Sequence, residues 1–272
     1  MGNWQIYNDR GDRPLKNNTM GTDPLKTEKN MINTYNETHL HRTLKEIYAG
    51  RHDGAQKEVQ CGPFIADILL SDGGIIEIQT GTLASLAPKI AYFLGEKRKI
   101  RVVHPLAVEK YVETTDESGR IIRRKKSPKK LNLTSVFREL TKLCPYLLDR
   151  NFTLEIVESK ITDQRTDFGS IEKADNSRRR HRRTWNKTGK RLDELGKATV
   201  LHGKAAWKKL IPAALLKIDR EFTAPEFHRE LIVLYPKAKR QETAVMLWVY
   251  VKMGFFERTG KKKGNAFIYK PL

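Results

Sequence analysis

Cysteine is scarce: Cys61 and Cys144 are the two in 272 residues. They lie far apart without CxxC spacing, so the chain has neither a disulfide framework nor a zinc knuckle, and both are expected as reduced thiols in a cytoplasmic protein. Long apolar runs are missing too, which excludes a membrane-spanning helix, and no secretory h-region follows Met1. Met1-Gly2-Asn3 opens like a myristoylation signal, but Ile6 stands where that signal needs Ser or Thr. No phosphate-binding loop of the Gly-x4-Gly-Lys type occurs, so a nucleotide-driven motor is not expected. His39, His41, His104 and His181 lack His-x3-His spacing, and His39 and His41 point to different faces of a helix, which argues against zinc. Acidic residues are in deficit, with 32 Asp and Glu against 52 Lys and Arg and a net charge of +20. Such a chain is lowered in free energy beside a polyanion, where bound counterions are released. An anionic membrane is the rival surface, but no amphipathic helix with a wholly basic back is present. Nucleic acid, and double-stranded DNA first, is the expected partner.

The chain is long enough for two ordinary domains. Residues 1–30 are polar and interrupted by Gly11, Pro14, Gly21 and Pro24, which predicts an arm or disordered tail. A mixed α/β domain is expected over 31–165. Leu40, Leu44, Ile47 and Tyr48 recur at helical spacing and Gly50 follows as a stop. Phe64–Leu70 and Gly74–Thr80 read as strands joined by the turn Ser71-Asp72-Gly73-Gly74. Leu83–Leu94 reads as a helix marred by Pro88. Ile100–Leu106 and Phe152–Val157 read as strands, Thr134 to Leu148 as a helix, and Tyr111–Thr115 with Arg120–Arg124 as a second hairpin. Helices and strands in this order predict a mixed sheet flanked by helices.

Residues 166–199 are dominated by charge and are expected to form a basic linker or hairpin. The final unit, 200–272, has sharper signals. Ala205–Leu216 reads as a helix broken at Pro212, and Thr223-Ala224-Pro225-Glu226 is a capping box opening a second helix. Lys239–Met253 is a third helix closed by Gly254. A hairpin with the basic tip Lys261, Lys262, Lys263 follows. Three helices and a basic hairpin predict a small winged-helix domain, with Lys239, Arg240, Gln241 and Thr243 in the first turns of the helix that enters the major groove. Further basic clusters at Arg123, Arg124, Lys125 and Lys126, and at Arg179, Arg180, Arg182 and Arg183, are expected DNA contacts. Trp185 beside the second cluster could stack on a base or pack locally.

The chemistry rests on Asp67, Glu77 and Gln79. Strand alternation puts Glu77 and Gln79 on one face and Ile76 and Ile78 on the other. Burying such carboxylates costs several kcal/mol (about 2–7 for an unpaired polar group) unless a cation meets them, and a hard dication suits oxygen ligands. Glu37 falls on the inward stripe of the first helix, where an acid either serves the site or sits near the positive helix end.

This pattern resembles the PD-(D/E)xK nuclease superfamily over roughly residues 33 to 106. The resemblance implies a restriction-endonuclease-like core of helix, acid-bearing hairpin, helix and strand. It implies that Asp67, Glu77, the Ile78 carbonyl and the first-helix acid Glu37 hold Mg2+ or Mn2+. Gln79 stands where that family usually has lysine; an amide takes up no proton near neutral pH, so Gln79 could only orient water. The Glu-Ile-Gln-Thr-Gly strand end followed by a winged helix also resembles a group of uncharacterised bacterial proteins. The expected function is a Mg2+-dependent endonuclease on DNA, endo rather than exo because the appended domain needs no free end, and double-strand cutting implies a homodimer. The alternatives are a non-catalytic DNA-binding regulator with a degenerate core, and an RNA-directed role.

Overall fold

Leu40, Leu44 and Tyr48 line one side of α1 (His39–Ala49), and that side covers a sheet; Thr38 caps the helix by accepting the amide of His41 at 3.3 Å. The computed structural model describes residues 38–128, 131–176 and 179–272. Glu37 and residues 1–30 lie outside the described residues.

Among the described residues the main sheet has seven strands. They are β1 (Gln56–Cys61), β2 (Phe64–Leu69), β3 (Ile75–Ile78), β4 (Ile100–Thr115), β5 (Ile121–Lys126), β6 (Phe152–Asp167) and β7 (Trp185–Leu201). The order is β1-β2-β3-β4-β6-β7, with β5 beside the far half of β4. β1, β2 and β3 form an antiparallel meander, β3 runs parallel to β4, and β4 runs parallel to β6 along their whole length. The β2–β3 turn uses Gly73 at φ 80, with the Gly74 amide donating to Asp72 Oδ1 at 2.9 Å. The parallel β3–β4 connection carries a 3-10 turn (Leu83–Leu86) and then α2 (Ala87–Gly95), which covers the face opposite α1. Pro88 is in the first turn of α2, where its missing N–H is harmless, so it starts this helix instead of marring a longer one.

Two further expectations are corrected. The helix from Thr134 to Leu148 shortens to α3 (Leu133–Val136), after which the chain proceeds by i to i−3 turns through Leu140, Leu143 and Tyr146. From the interval 166–199, read as linker or hairpin, residues from Trp185 onward form β7 and belong to the main sheet. β4 and β6 run past the end of β3 and, with β5 and β7, make a long basic extension of the sheet.

The last unit contains α4 (Gly203–Lys208), a 3-10 turn (Ala213–Leu216), β8 (Phe222–Thr223), α5 (Ala224–Leu234), α6 (Arg240–Lys252), β9 (Phe256–Lys263) and β10 (Ala266–Pro271), with β8-β10-β9 as a small sheet. The capping box forms: the Thr223 amide donates to Glu226 at 2.7 Å, and the Glu226 amide donates to Thr223 Oγ1. Gly254, at φ 72, takes the left-handed position after α6. This unit is docked on the first. Trp207 and Tyr250 are buried against Phe137 at ring separations of 6.2 and 5.5 Å, and the Trp207 indole N–H donates to the Leu147 carbonyl at 3.1 Å. One apolar core therefore runs from α2 through Phe137 into the last unit.

Candidate active site

Asp67 and Glu77 face each other where the β2–β3 ladder stops. The last paired residues are Ile68 and Ile76, so Asp67 would pair with Glu77 if the ladder continued. The side chains take its place. The Ile78 amide donates to Asp67 Oδ2 at 2.8 Å, and the Asp67 amide donates to Glu77 Oε1 at 3.2 Å. The strands open at this point, and each carboxylate satisfies a backbone donor that the splay would otherwise leave orphaned.

A basic side chain approaches from each side. His41 of α1 lies 3.3 Å from Asp67 Oδ2 through its Nε2. Lys89 of α2 donates to Glu77 Oε2 at 2.5 Å and to the Ile65 carbonyl at 2.5 Å. Glu77 is 2% exposed, and burial first, then the negative charge of Asp67, pushes its pKa up to about 7. Asp67 goes the other way: burial works upward, but His41 and the Ile78 amide outweigh it and hold the carboxyl below its ordinary range. The pair is thus poised with one member ionised and the other close to neutral pH.

Gln79 is elsewhere. Its Nε2 donates to the Thr82 carbonyl and to Ser85 Oγ, both at 2.7 Å, and its backbone carbonyl accepts His104 Nδ1–H at 2.7 Å. The side-chain amide closes the loop after β3, and its hydrogen bonds run to that loop and not to Asp67 or Glu77. Lys89 was not read from the sequence. It was legible only as the second residue after Ala87 once α2 is known to start there, because no local spacing ties position 89 to position 77.

The donor set fits a hard dication in kind: two carboxylates from adjacent strands meet, and the like-charge repulsion that lifts Glu77 is what a cation beside both would relieve. Among the described residues no third His, Cys, Asp or Glu completes a metal-holding group. The Ile78 carbonyl remains the further protein ligand in the expected set.

The expected DNA contacts divide. On α6, Lys239, Arg240 and Gln241 are exposed, with Gln241 accepting from Arg138 at 3.0 Å. Thr243 is corrected: it is buried, with its hydroxyl on His228 and the Arg240 carbonyl, so it faces the core and not a groove. Lys261 pairs with Glu221 at 3.0 Å, Lys263 with Glu226 at 3.5 Å, and Lys262 lies over Phe267. On the sheet extension Arg123 and Lys125 are exposed, Arg124 covers Tyr111, and Lys126 pairs with Glu109 at 2.6 Å. Arg180 and Arg182 are exposed, whereas Arg183 and Arg179, with Arg165, surround the Trp185 ring at 4.5, 5.7 and 3.7 Å. Trp185 packs locally against guanidinium groups.

Among the described residues no helix is long and apolar enough to cross a membrane. No solved structure matches this chain. A protein of Treponema pallidum (strain Nichols) described as "Uncharacterized protein" is 34% identical over 126 residues, which is 46% of this chain and 49% of that protein, so the similarity spans about half the relative's length. The family described as "Domain of unknown function (DUF8091)" matches residues 38–202, the span from α1 to the end of β7, and the chain belongs to that family.

Proposed function

We propose that this chain is a metal-dependent nuclease that hydrolyses DNA phosphodiester bonds as an endonuclease. In this reading the main sheet cuts and the last unit, a winged helix, docks on duplex. One observation carries the proposal: a buried carboxylate, Glu77, and a half-buried one, Asp67, meet at a splayed strand pair with a lysine 2.5 Å from the buried one. The succession of α1, the β1–β3 meander, α2 and a parallel β4 supports the likeness to the PD-(D/E)xK core. The lysine missing at position 79 has a substitute in Lys89, which brings its ammonium to the same carboxylate from the helix.

Asp67 and Glu77, with the Ile78 carbonyl, would hold Mg2+ or Mn2+. Such an ion, when bound, polarises the phosphoryl oxygen and lowers the pKa of bound water. The chain's own groups do the rest. His41 keeps Asp67 anionic, and Lys89 supplies positive charge where charge builds on the phosphate. Gln79 fixes the loop leading out of the site. The basic extension and the exposed Lys239 and Arg240 hold the duplex through phosphates.

The second reading, a DNA-binding regulator, is favoured by one observation: both Glu77 oxygens already have donors, the Asp67 amide and Lys89. Plasmid incubated with and without Mg2+ or Mn2+ separates the two. Metal-dependent nicking that Asp67→Ala and Glu77→Ala abolish, with salt-sensitive binding intact, supports the nuclease. Binding without cutting under any metal overturns it and leaves the regulator.

A further inference from the structure

Past Gln79 the chain turns through Thr80-Gly81-Thr82, and a cleft of about 510 Å³ opens there. Neither Asp67 nor Glu77 lines it. Its walls come from the sheet, from α3 and from the start of α6. One wall carries a charge imbalance. Asp163 of β6 is buried and pairs with Lys110 of β4 and with Lys187 of β7, the latter at 3.2 Å. Lys190 stands directly opposite Asp163 in the β6–β7 register, yet among the described residues it forms no ion pair. Its Nζ reaches only the Thr80 carbonyl, at 3.5 Å. Three ammonium groups therefore share one carboxylate in a half-buried setting.

The surroundings suit an anion. Burial, then Lys187 and Lys110, pulls the Lys190 pKa down, the signature of a charge poorly solvated and poorly paired. His104 adds no positive charge: burial lowers its pKa and disfavours the imidazolium, and its Nδ1–H donates to the Gln79 backbone carbonyl. A Cβ at Gly81 would meet nothing within 4 Å, so the loop leaves room for a ligand. The cleft's other acids are Glu139 and Glu242. Glu242 is committed to the Thr134 hydroxyl at 2.9 Å and to the Lys239 amide at 3.2 Å.

We infer that this cleft is a phosphate-binding site in which Lys190, with Lys110 beside it in the cleft wall, takes a phosphate group of the nucleic-acid strand lying beside the carboxylate pair. The assignment of the phosphate to a strand rests on the proposed function; the anion site itself does not. A phosphate lodged there would anchor the strand just beyond the end of β3.

The test is binding in EDTA, where no divalent ion is present, read by thermal shift and by fluorescence anisotropy. The probes are inorganic pyrophosphate and a short oligothymidylate, each against chloride at matched ionic strength. Wild type should be stabilised by both. Lys190→Gln should weaken both by about tenfold, as expected for loss of one charge-assisted hydrogen bond. Lys190→Arg should restore most of the affinity, and Asp163→Asn, which removes the carboxylate opposite Lys190 in the β6–β7 register, should tighten it. Equal affinity in wild type and Lys190→Gln, or no pyrophosphate effect on wild type, overturns the site. Loss of pyrophosphate binding alone, with oligothymidylate unaffected, overturns the strand assignment in favour of a free phosphate ligand. Absence of cleavage with this binding pattern intact would count against the nuclease and not against the site. The unliganded melting temperature of each variant identifies one that has failed to fold, and Lys110→Gln, on the same cleft wall, then replaces Lys190→Gln.

Discussion

Two groups of buried charge on the same sheet are built on opposite plans. At the splayed end of β2 and β3, Asp67 and Glu77 are matched by His41 and Lys89, and each also accepts a backbone N–H. On β4, β6 and β7, Lys110, Lys187 and Lys190 face the single carboxylate of Asp163. The first group is closed electrostatically and the second is not. In the proposed function a balanced group would meet its substrate through an added cation, whereas a cationic surplus costs stability that a bound anion would relieve. Removing a lysine should therefore have opposite effects at the two places.

The largest expected effect is on chemistry. Asp67→Ala or Glu77→Ala should reduce metal-dependent plasmid nicking at least about a hundredfold, while the matching change at Asp163 should leave the chemical step in single-turnover reactions within a few-fold. Next is stability. Lys89→Met leaves Glu77 buried without its partner and should lower unfolding free energy by about 3 kcal/mol, measured by denaturant melts, with Glu77→Gln in the same chain restoring most of it. Lys190→Met should instead raise stability by up to about 1 kcal/mol, because a half-buried unpaired ammonium is replaced by an apolar group. Equal losses at both lysines would erase the distinction between the two groups.

The pH dependence sharpens it. Glu77 has a folded pKa near 7 against 4.5 for an ordinary Glu, so the folded state holds a proton that the unfolded chain releases. Stability from this group is fully present below about 4.5 and is lost as pH rises through about 7, a change on the order of 3 kcal/mol. Asp67 has the opposite sign: its depressed pKa contributes stability that is lost as pH falls through the folded value. Glu77→Gln should flatten the fall between pH 5 and 7 in urea melts followed across pH, a window set by the ordinary and shifted values. The smallest effect lies on the exposed extension. Arg123→Ala should leave the fold intact and reduce the salt slope of DNA binding by about one, the signature of one phosphate contact.

Much of the main sheet was legible because its strands carry β-branched residues bounded by turn chemistry: Ile75, Ile76 and Ile78 after Asp72-Gly73, or the alternation that begins at Phe152. β1 was missed because Gln56, Lys57, Glu58 and Gln60 are polar on an edge strand that needs no apolar face. β7 was missed for a related reason. Its core-facing leucines, Leu192, Leu195 and Leu201, are irregularly spaced among Lys, Arg, Asp and Glu, so neither periodicity nor hydrophobicity marks it. Asp67 and Glu77 were legible because a two-residue period and a tight turn fix their relation. Lys89, His41 and Lys190 were not, since each reaches its partner through tertiary packing: α2 and α1 close on opposite sides of the splayed strands, and β7 folds back along β6. Thr243 illustrates the reverse error, in which position along α6 suggested a groove contact but helix rotation turned the hydroxyl toward His228.

The central claim is that Asp67 and Glu77 together bind a divalent ion. Titration of Mn2+ followed by the electron paramagnetic resonance signal of the free ion tests it without requiring turnover. Wild type should take up Mn2+, and this uptake should be lost in both Asp67→Asn and Glu77→Gln and unchanged in Asp163→Asn. No uptake by wild type, or equal uptake in all four proteins, would contradict it.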